Sequence, residues 1–113
     1  MTHLNYDVLN GLADVLEEDF PTIIESFITS SSKILDSIPP SLINDDPNSF
    51  TIRIHSLKGS CRNIGAEHLA ELCKIDEAHV KDKKIEKIDP SLRETRKEFE
   101  SVKKALLDYL SAK

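Results

Sequence analysis

The residues best suited to chemistry gather in one short run, Ile-His-Ser-Leu-Lys-Gly-Ser-Cys-Arg at positions 54–62. An exposed imidazole is partly neutral near pH 7, so His55 offers a nucleophilic ring nitrogen. Lys58 follows three residues on, and Gly59 four. In a helix both offsets fall on the face of the histidine. An ammonium there favours an anion, such as phosphate, held at the ring. Glycine inside a helix costs roughly 1 kcal/mol against alanine. Its use at Gly59 makes sense where a partner must come close to the imidazole, because no side chain blocks the approach. Taken singly, a helical histidine is usually just solvated and a helical glycine often serves packing. The three residues at these offsets, with a second glycine at Gly65, point to a reacting surface.

The surrounding pattern places that surface. Phe50, Ile54, Leu57, Cys61 and Ile64 recur at helical spacing and form a core stripe. At about 100° per residue, His55 points roughly 140° away from the centre of that stripe. Thr51, Lys58, Gly59 and Arg62 surround it, with Ile52 at the edge. Asp46 before Pro47 reads as the N-cap and first turn of this helix, and Gly65 as its stop. An earlier helix is expected over 4–17, with Leu4, Val8, Leu12 and Val15 inward. It should end in "EEDFP", since the residue before Pro21 is disfavoured in helical geometry. A second helix runs over 21–38, carrying Ile24, Phe27, Ile28, Leu35 and Ile38. The segment "PPSLINDDPN" reads as a loop. Glu67 favours the start of a further helix through the helix dipole. That helix carries Leu69, Leu72, Cys73 and Val80 and fades in "KDKKIEK". Asp89 before Pro90 should cap the last helix, whose stripe is Leu92, Phe99, Val102, Leu106, Tyr109 and Leu110. No segment alternates as a strand would. The expected fold is all-α: an antiparallel up-down-up-down four-helix bundle with a short extra N-terminal helix packed across one end.

Composition narrows the function. The chain has 113 residues, fitting a single domain over 1–113, with 39% hydrophobic and 31% charged residues. The net charge of −5 argues against nucleic acid as a partner. No apolar run is long enough to span a membrane, and "MTHLNYDVLN" lacks the features of a signal peptide. A cytoplasmic protein is expected. Cys61 and Cys73 read as reduced core residues. With His3, His68 and His79 they lack the paired spacing of a zinc site, so no metal site is assigned. "LKGSCR" does not follow the order of a phosphate-binding P-loop, and no strand precedes it, which argues against ATP binding or autokinase activity.

The run "HSLKGSCRNIGAEHLAELCKIDE" resembles the signature of histidine-containing phosphotransfer (HPt) domains, the intermediates of two-component phosphorelays. The matching residues are His55, Leu57, Lys58, Gly59, Gly65, Ala66, Leu69, Leu72, Cys73 and Glu77. The upstream "LEEDFPTIIESFITSSSKIL" is similar to the family's second helix and its approach. The resemblance implies a four-helix bundle whose histidine accepts a phosphoryl group on Nε2 from a receiver-domain aspartate and passes it to another. On that basis His55 is the phosphorylated residue and Lys58 offsets the phosphate charge. Glu77 accepts a hydrogen bond from Nδ1–H, leaving Nε2 free to attack. Ile52, Gly59 and Arg62 become docking residues. The implied partners are receiver domains of hybrid sensor histidine kinases and of response regulators. Mg²⁺ is expected on the receiver, with no cofactor on this chain, which would act as a monomer. The initial Met and the full bundle favour a free-standing protein.

Two positions depart from the family pattern. Ile54 stands where alanine usually precedes the histidine, and it fits the core stripe. Asp76 stands where leucine is usual. An unpaired aspartate in the core is costly, so a slight rotation of the helix, or Ile75 packing in its place, is expected. The alternative function is a non-phosphorylated helical adaptor that binds receiver or kinase domains. Retention of both His55 and Lys58 favours the carrier.

Overall fold

The computed structural model describes residues 3–39 and 42–112. Six α-helices follow one another: α1 (Tyr6–Leu16), α2 (Phe20–Asp36), α3 (Leu42–Asp45), α4 (Pro47–Asn63), α5 (Glu67–Lys81) and α6 (Ile88–Ser111). Short 3₁₀ turns at Glu17–Asp19 and Ile85–Lys87 lead into α2 and α6. Among the described residues there is no strand. Helices α2, α4, α5 and α6 form the antiparallel four-helix bundle, about which α1 is the additional N-terminal helix.

The bundle is filled by the expected stripes. Phe50, Ile54, Leu57, Cys61 and Ile64 are all buried, and so are Leu69, Cys73, Leu92, Phe99, Val102 and Leu106 facing them. Helix α4 begins as its sequence dictates: the Asp46 side chain accepts the Ser49 N–H at 3.0 Å, and Pro47 occupies the first turn. It ends at Gly65, whose φ of 83° reverses the chain into α5. A side chain at Gly65 would be strained by that φ and would press on the Asn5 carbonyl at 3.0 Å. Two arginines tie the far end together. Arg96 donates to the carbonyls of Leu35 and Ile38 at 3.1 and 2.9 Å, and Arg53 donates to that of Ser37. These cations bind carbonyls at and just beyond the C-terminus of α2, where the helix dipole favours positive charge.

Four local readings are corrected. The first helix does end in "EEDFP", at Glu17 with φ 51°, but not for the expected reason, since Phe20 before the proline is helical at φ −58°, ψ −48°. The bias against helix before proline is only a preference, and burial of Phe20 outweighs it. In α1 the buried residue is Leu9, whereas Val15 is 81% exposed. The rotation of α1 is set by tertiary contact: Asn5 donates its backbone N–H to Gly65 O at 2.8 Å and its side-chain amide to Glu67 at 2.9 Å. Midway along α1, the Tyr109 hydroxyl donates to the Asn10 side chain. The segment read as a loop contains α3, a single turn anchored by buried Ile43; Pro40 and Ser41 of that segment lie outside the described residues. Helix α6 starts at Ile88 without a side-chain cap, and Asp89 sits inside its first turn. Ile88 is buried, which draws that turn into the core.

Removing the α4 cap tests this part of the fold. Asp46→Ala should lower stability by about 1 kcal/mol, read as a fall in the urea midpoint with an unchanged slope.

Candidate functional site

Helix α4 turns His55 outward, with 69% of its side chain exposed. Gly59 and Arg62 share the exposed face, and Ile52 beside them is itself 69% exposed, an unusual amount for a large apolar residue. A Cβ built on Gly59 would meet nothing within 4 Å. Packing inside this chain therefore does not demand a glycine there. The space it leaves is open to a visitor.

Lys58 behaves differently from its neighbours on the face. Only 13% of its side chain is exposed, because it lies back across the seam with α5. Its Nζ is 2.8 Å from Glu77 Oε1. The contact is an ion pair rather than an aligned hydrogen bond. The other oxygen of the same carboxylate, Oε2, is 3.5 Å from His55 Nδ1. Glu77 thus stands between the two residues of α4. The 3.5 Å separation is long for a hydrogen bond. A groove between α4 and α5 continues the site, lined by Thr51, Lys74, Glu77, Ala78 and Lys81. Lys74 escaped sequence reasoning. It belongs to the site because α5 brings it alongside Thr51, which no spacing within α5 reveals.

The structure overturns the expectation for Asp76. The helix does not rotate to expel it, and Ile75 does not replace it: Ile75 is 44% exposed, while Asp76 is 0% exposed. The aspartate is stabilised by two hydroxyls of α6. Thr95 Oγ1 donates to Asp76 Oδ2 at 2.6 Å, and Ser91 Oγ donates to Oδ1. A signal for this was present in the sequence. Ser91 and Thr95 are one helical turn apart, and Thr95 fills the gap in the apolar stripe between Leu92 and Phe99. Burial pushes the Asp76 carboxyl above the usual carboxylate range. The bonds from Ser91 and Thr95, and the field of His79, oppose that shift, and Glu77 adds to it.

The other titratable residues are placed as follows. Cys61 and Cys73 are free and buried. The hydrogen bond with Cys61, followed by burial, pushes the Cys73 thiol far up and keeps it protonated and unreactive. His68 and His79 are half-buried rather than fully solvated. His3 pairs through Nδ1 with the buried Glu98 at 2.8 Å, an attachment of the N-terminal segment to α6 that no local pattern announces. Among the described residues no cluster could hold a metal ion, and no helix is long and apolar enough to cross a membrane.

The outward histidine, backed by a lysine and a carboxylate, is on the second helix of the antiparallel bundle. The chain belongs to the Hpt domain family, whose model matches residues 22–111. The crystal structure of histidine-containing phosphotransfer protein B (HptB) from Pseudomonas aeruginosa PAO1 is similar to it throughout. The TM-score is 0.90 at 26% sequence identity, over 98% of this chain and 96% of that one. No curated protein matches the sequence. The chain is accordingly a histidine phosphotransfer protein of a phosphorelay, from a family whose members are phosphocarriers rather than kinases, and it interacts with receiver domains.

The Asp76 environment has a pH signature. Its carboxyl is raised in the folded chain, so its contribution to stability is full below the unfolded value of about 3.9 and is lost as pH rises through the folded value. Asp76→Asn cannot ionise. The stability of this variant minus that of the wild type should therefore increase between pH 4 and pH 7. Urea denaturation of both proteins across that range measures it, and a difference that falls with pH would contradict the burial argument.

Proposed function

We propose that His55 is the phosphoryl carrier and that Lys58 and Glu77 prepare it for transfer. The observation that carries this reading is the placement of one carboxylate between the ring and the ammonium. A proton on Nδ1, directed at Glu77 Oε2, leaves the Nε2 lone pair facing solvent. In the transfer, Nε2 attacks the phosphorus of a receiver acyl phosphate in line, and the bond from phosphorus to the aspartate oxygen breaks. The aspartate leaves as a carboxylate. The imidazole keeps its Nδ1 proton and gains positive charge, which Glu77 balances. No other proton needs to move, so the same geometry serves the reverse step.

Lys58 is held near the ring, where its ammonium offsets the phosphoryl charge. Binding of the dianion would draw the ammonium away from Glu77, leaving the carboxylate to the imidazolium. Helix α4 contains three basic residues, Arg53, Lys58 and Arg62, and no acidic one. The helix that meets the acyl phosphate is thus basic within a chain of net charge −5. Ile52 supplies an apolar contact, Gly59 the clearance, and Arg62 a charged edge for the receiver. Catalytic Mg²⁺ belongs to the receiver in this scheme, and this chain contributes no ATP site. In this reading it works as a cytoplasmic monomer, and the surface that docks the receiver is also the surface that reacts.

Two experiments test the proposal. Purified protein treated with phosphoramidate, or with a phosphorylated receiver, should gain one phosphoryl group by intact mass, labile in acid and stable in base. His55→Gln should gain none; uptake by that variant would assign the carrier elsewhere, and receiver binding by the wild type without any phosphoryl uptake would favour the adaptor. Gly59→Gln should raise stability by up to about 1 kcal/mol and slow transfer from a phosphorylated receiver at least tenfold, as expected from misplacing the reacting groups by about 1 Å. Unchanged transfer would remove the close-approach role of Gly59.

A further inference from the structure

The hydroxyl-bonded aspartate of α5 lies one residue before the carboxylate that faces the imidazole. Asp76 is 0% exposed and is bound to Ser91 and Thr95 of α6. Glu77, turned about 100° from it, faces α4. The two acidic residues therefore fasten α5 on adjacent sides, one to α6 and one across the seam to His55 and Lys58. We propose that Asp76 is a positioning residue for phosphoryl transfer: it clips α5 to α6 at a single rotation and height, and thereby sets the Glu77 carboxylate against His55 Nδ1. The proposal rests on the reading of His55 as the carrier for its kinetic consequence, but not for its structural one.

Apolar packing alone would hold α5 less strictly. Where leucine stands at this position in the family, packing must fix the helix; here the facing groups of α6 are the hydroxyls of Ser91 and Thr95, which give a leucine no directional partner. Hydrogen bonds to two hydroxyls spaced one turn apart are directional and fix both rotation and height. The leverage is large. A 20° rotation of α5 moves a side-chain tip by roughly 2 Å, given the radius of a helix with its side chains. His55 Nδ1 and Glu77 Oε2 are already 3.5 Å apart, so a displacement of that size ends their interaction. Lys58, whose long chain follows its partner, would keep the ion pair through the same movement. The clip therefore acts on the ring more than on the lysine.

Chemistry also identifies the substitution that should preserve the clip. In Asp76→Asn the carboxamide oxygen accepts from Ser91. Its amide donates to Thr95 Oγ1, whose own proton turns to the Ser91 carbonyl, 3.2 Å away. Asp76→Leu removes both bonds while supplying an apolar side chain of suitable size. Thr95→Val removes one bond and keeps the shape. Comparing the first two variants separates geometry from charge, because neither carries an ionisable group at the position.

The test is the protonation pattern of the His55 ring, read from ¹⁵N–¹H correlation spectra at pH about 8.5, above the range in which an exposed imidazole titrates. Wild type and Asp76→Asn should favour the Nδ1–H form. Asp76→Leu should shift the ring towards Nε2–H and slow transfer from a phosphorylated receiver by about tenfold. Thr95→Val should shift the ring in the same direction. A folded Asp76→Leu with the wild-type pattern overturns the proposal. Should that variant fail to fold, a wild-type pattern in Thr95→Val overturns it. A shift in the ring while the wild type itself takes no phosphoryl group would uphold the clip and reject the carrier reading. A shift that Asp76→Asn shares with Asp76→Leu would assign the effect to charge and reject the clip.

Discussion

The antiparallel seam between α4 and α5 is the constraint on which the site depends. A nucleophile that must meet another protein has to be exposed, yet an exposed side chain has few neighbours to orient it. Here the orienting groups come from the adjoining helix. Gly65 closes the seam with φ 83°, the Ala66 N–H returns to Cys61 O at 2.9 Å, and the Gly65 N–H to Arg62 O at 3.3 Å. His55 lies ten residues before Gly65 and Glu77 twelve residues after it. At 1.5 Å per residue the two climb and descend by similar heights, which brings them level. One left-handed glycine thus decides which carboxylate meets the imidazole.

The turn itself is held from outside the hairpin. Asn5 caps α1 with its side-chain oxygen and spends its backbone N–H on the Gly65 carbonyl and its amide on Glu67. The N-terminal helix therefore steadies the closed end of the α4–α5 hairpin. At the opposite end, Arg53 and Arg96 hold the carbonyls at the end of α2. Apolar burial packs the four helices together, and these directional bonds set how far each may slide.

The buried carboxylates follow the same logic. A buried carboxylate is costly unless its lone pairs are satisfied. Asp76 meets that condition through Ser91 and Thr95, and Glu98 through His3. The division of labour is visible along α5: Leu69 and Cys73 contribute burial, Asp76 contributes register, and Glu77 faces the site.

The sequence by itself determined the helices, their inward stripes and the outward strip around His55. These follow from local periodicity and from caps such as Asp46 and Gly65, whose physics operates within a few residues. The helical bundle and the grouping of His55, Lys58 and Gly59 were legible for that reason. Partnership across helices was not. Lys58 turning inward to Glu77, Asp76 reaching Ser91 and Thr95, Leu9 rather than Val15 facing the core, and His3 meeting Glu98 all depend on the rotation of one helix against another. That rotation comes from contacts between residues far apart in the chain, as with Asn5 at Gly65, and no local pattern encodes it. Only the tertiary structure decided which carboxylates are buried, which are paired, and which one stands beside the histidine.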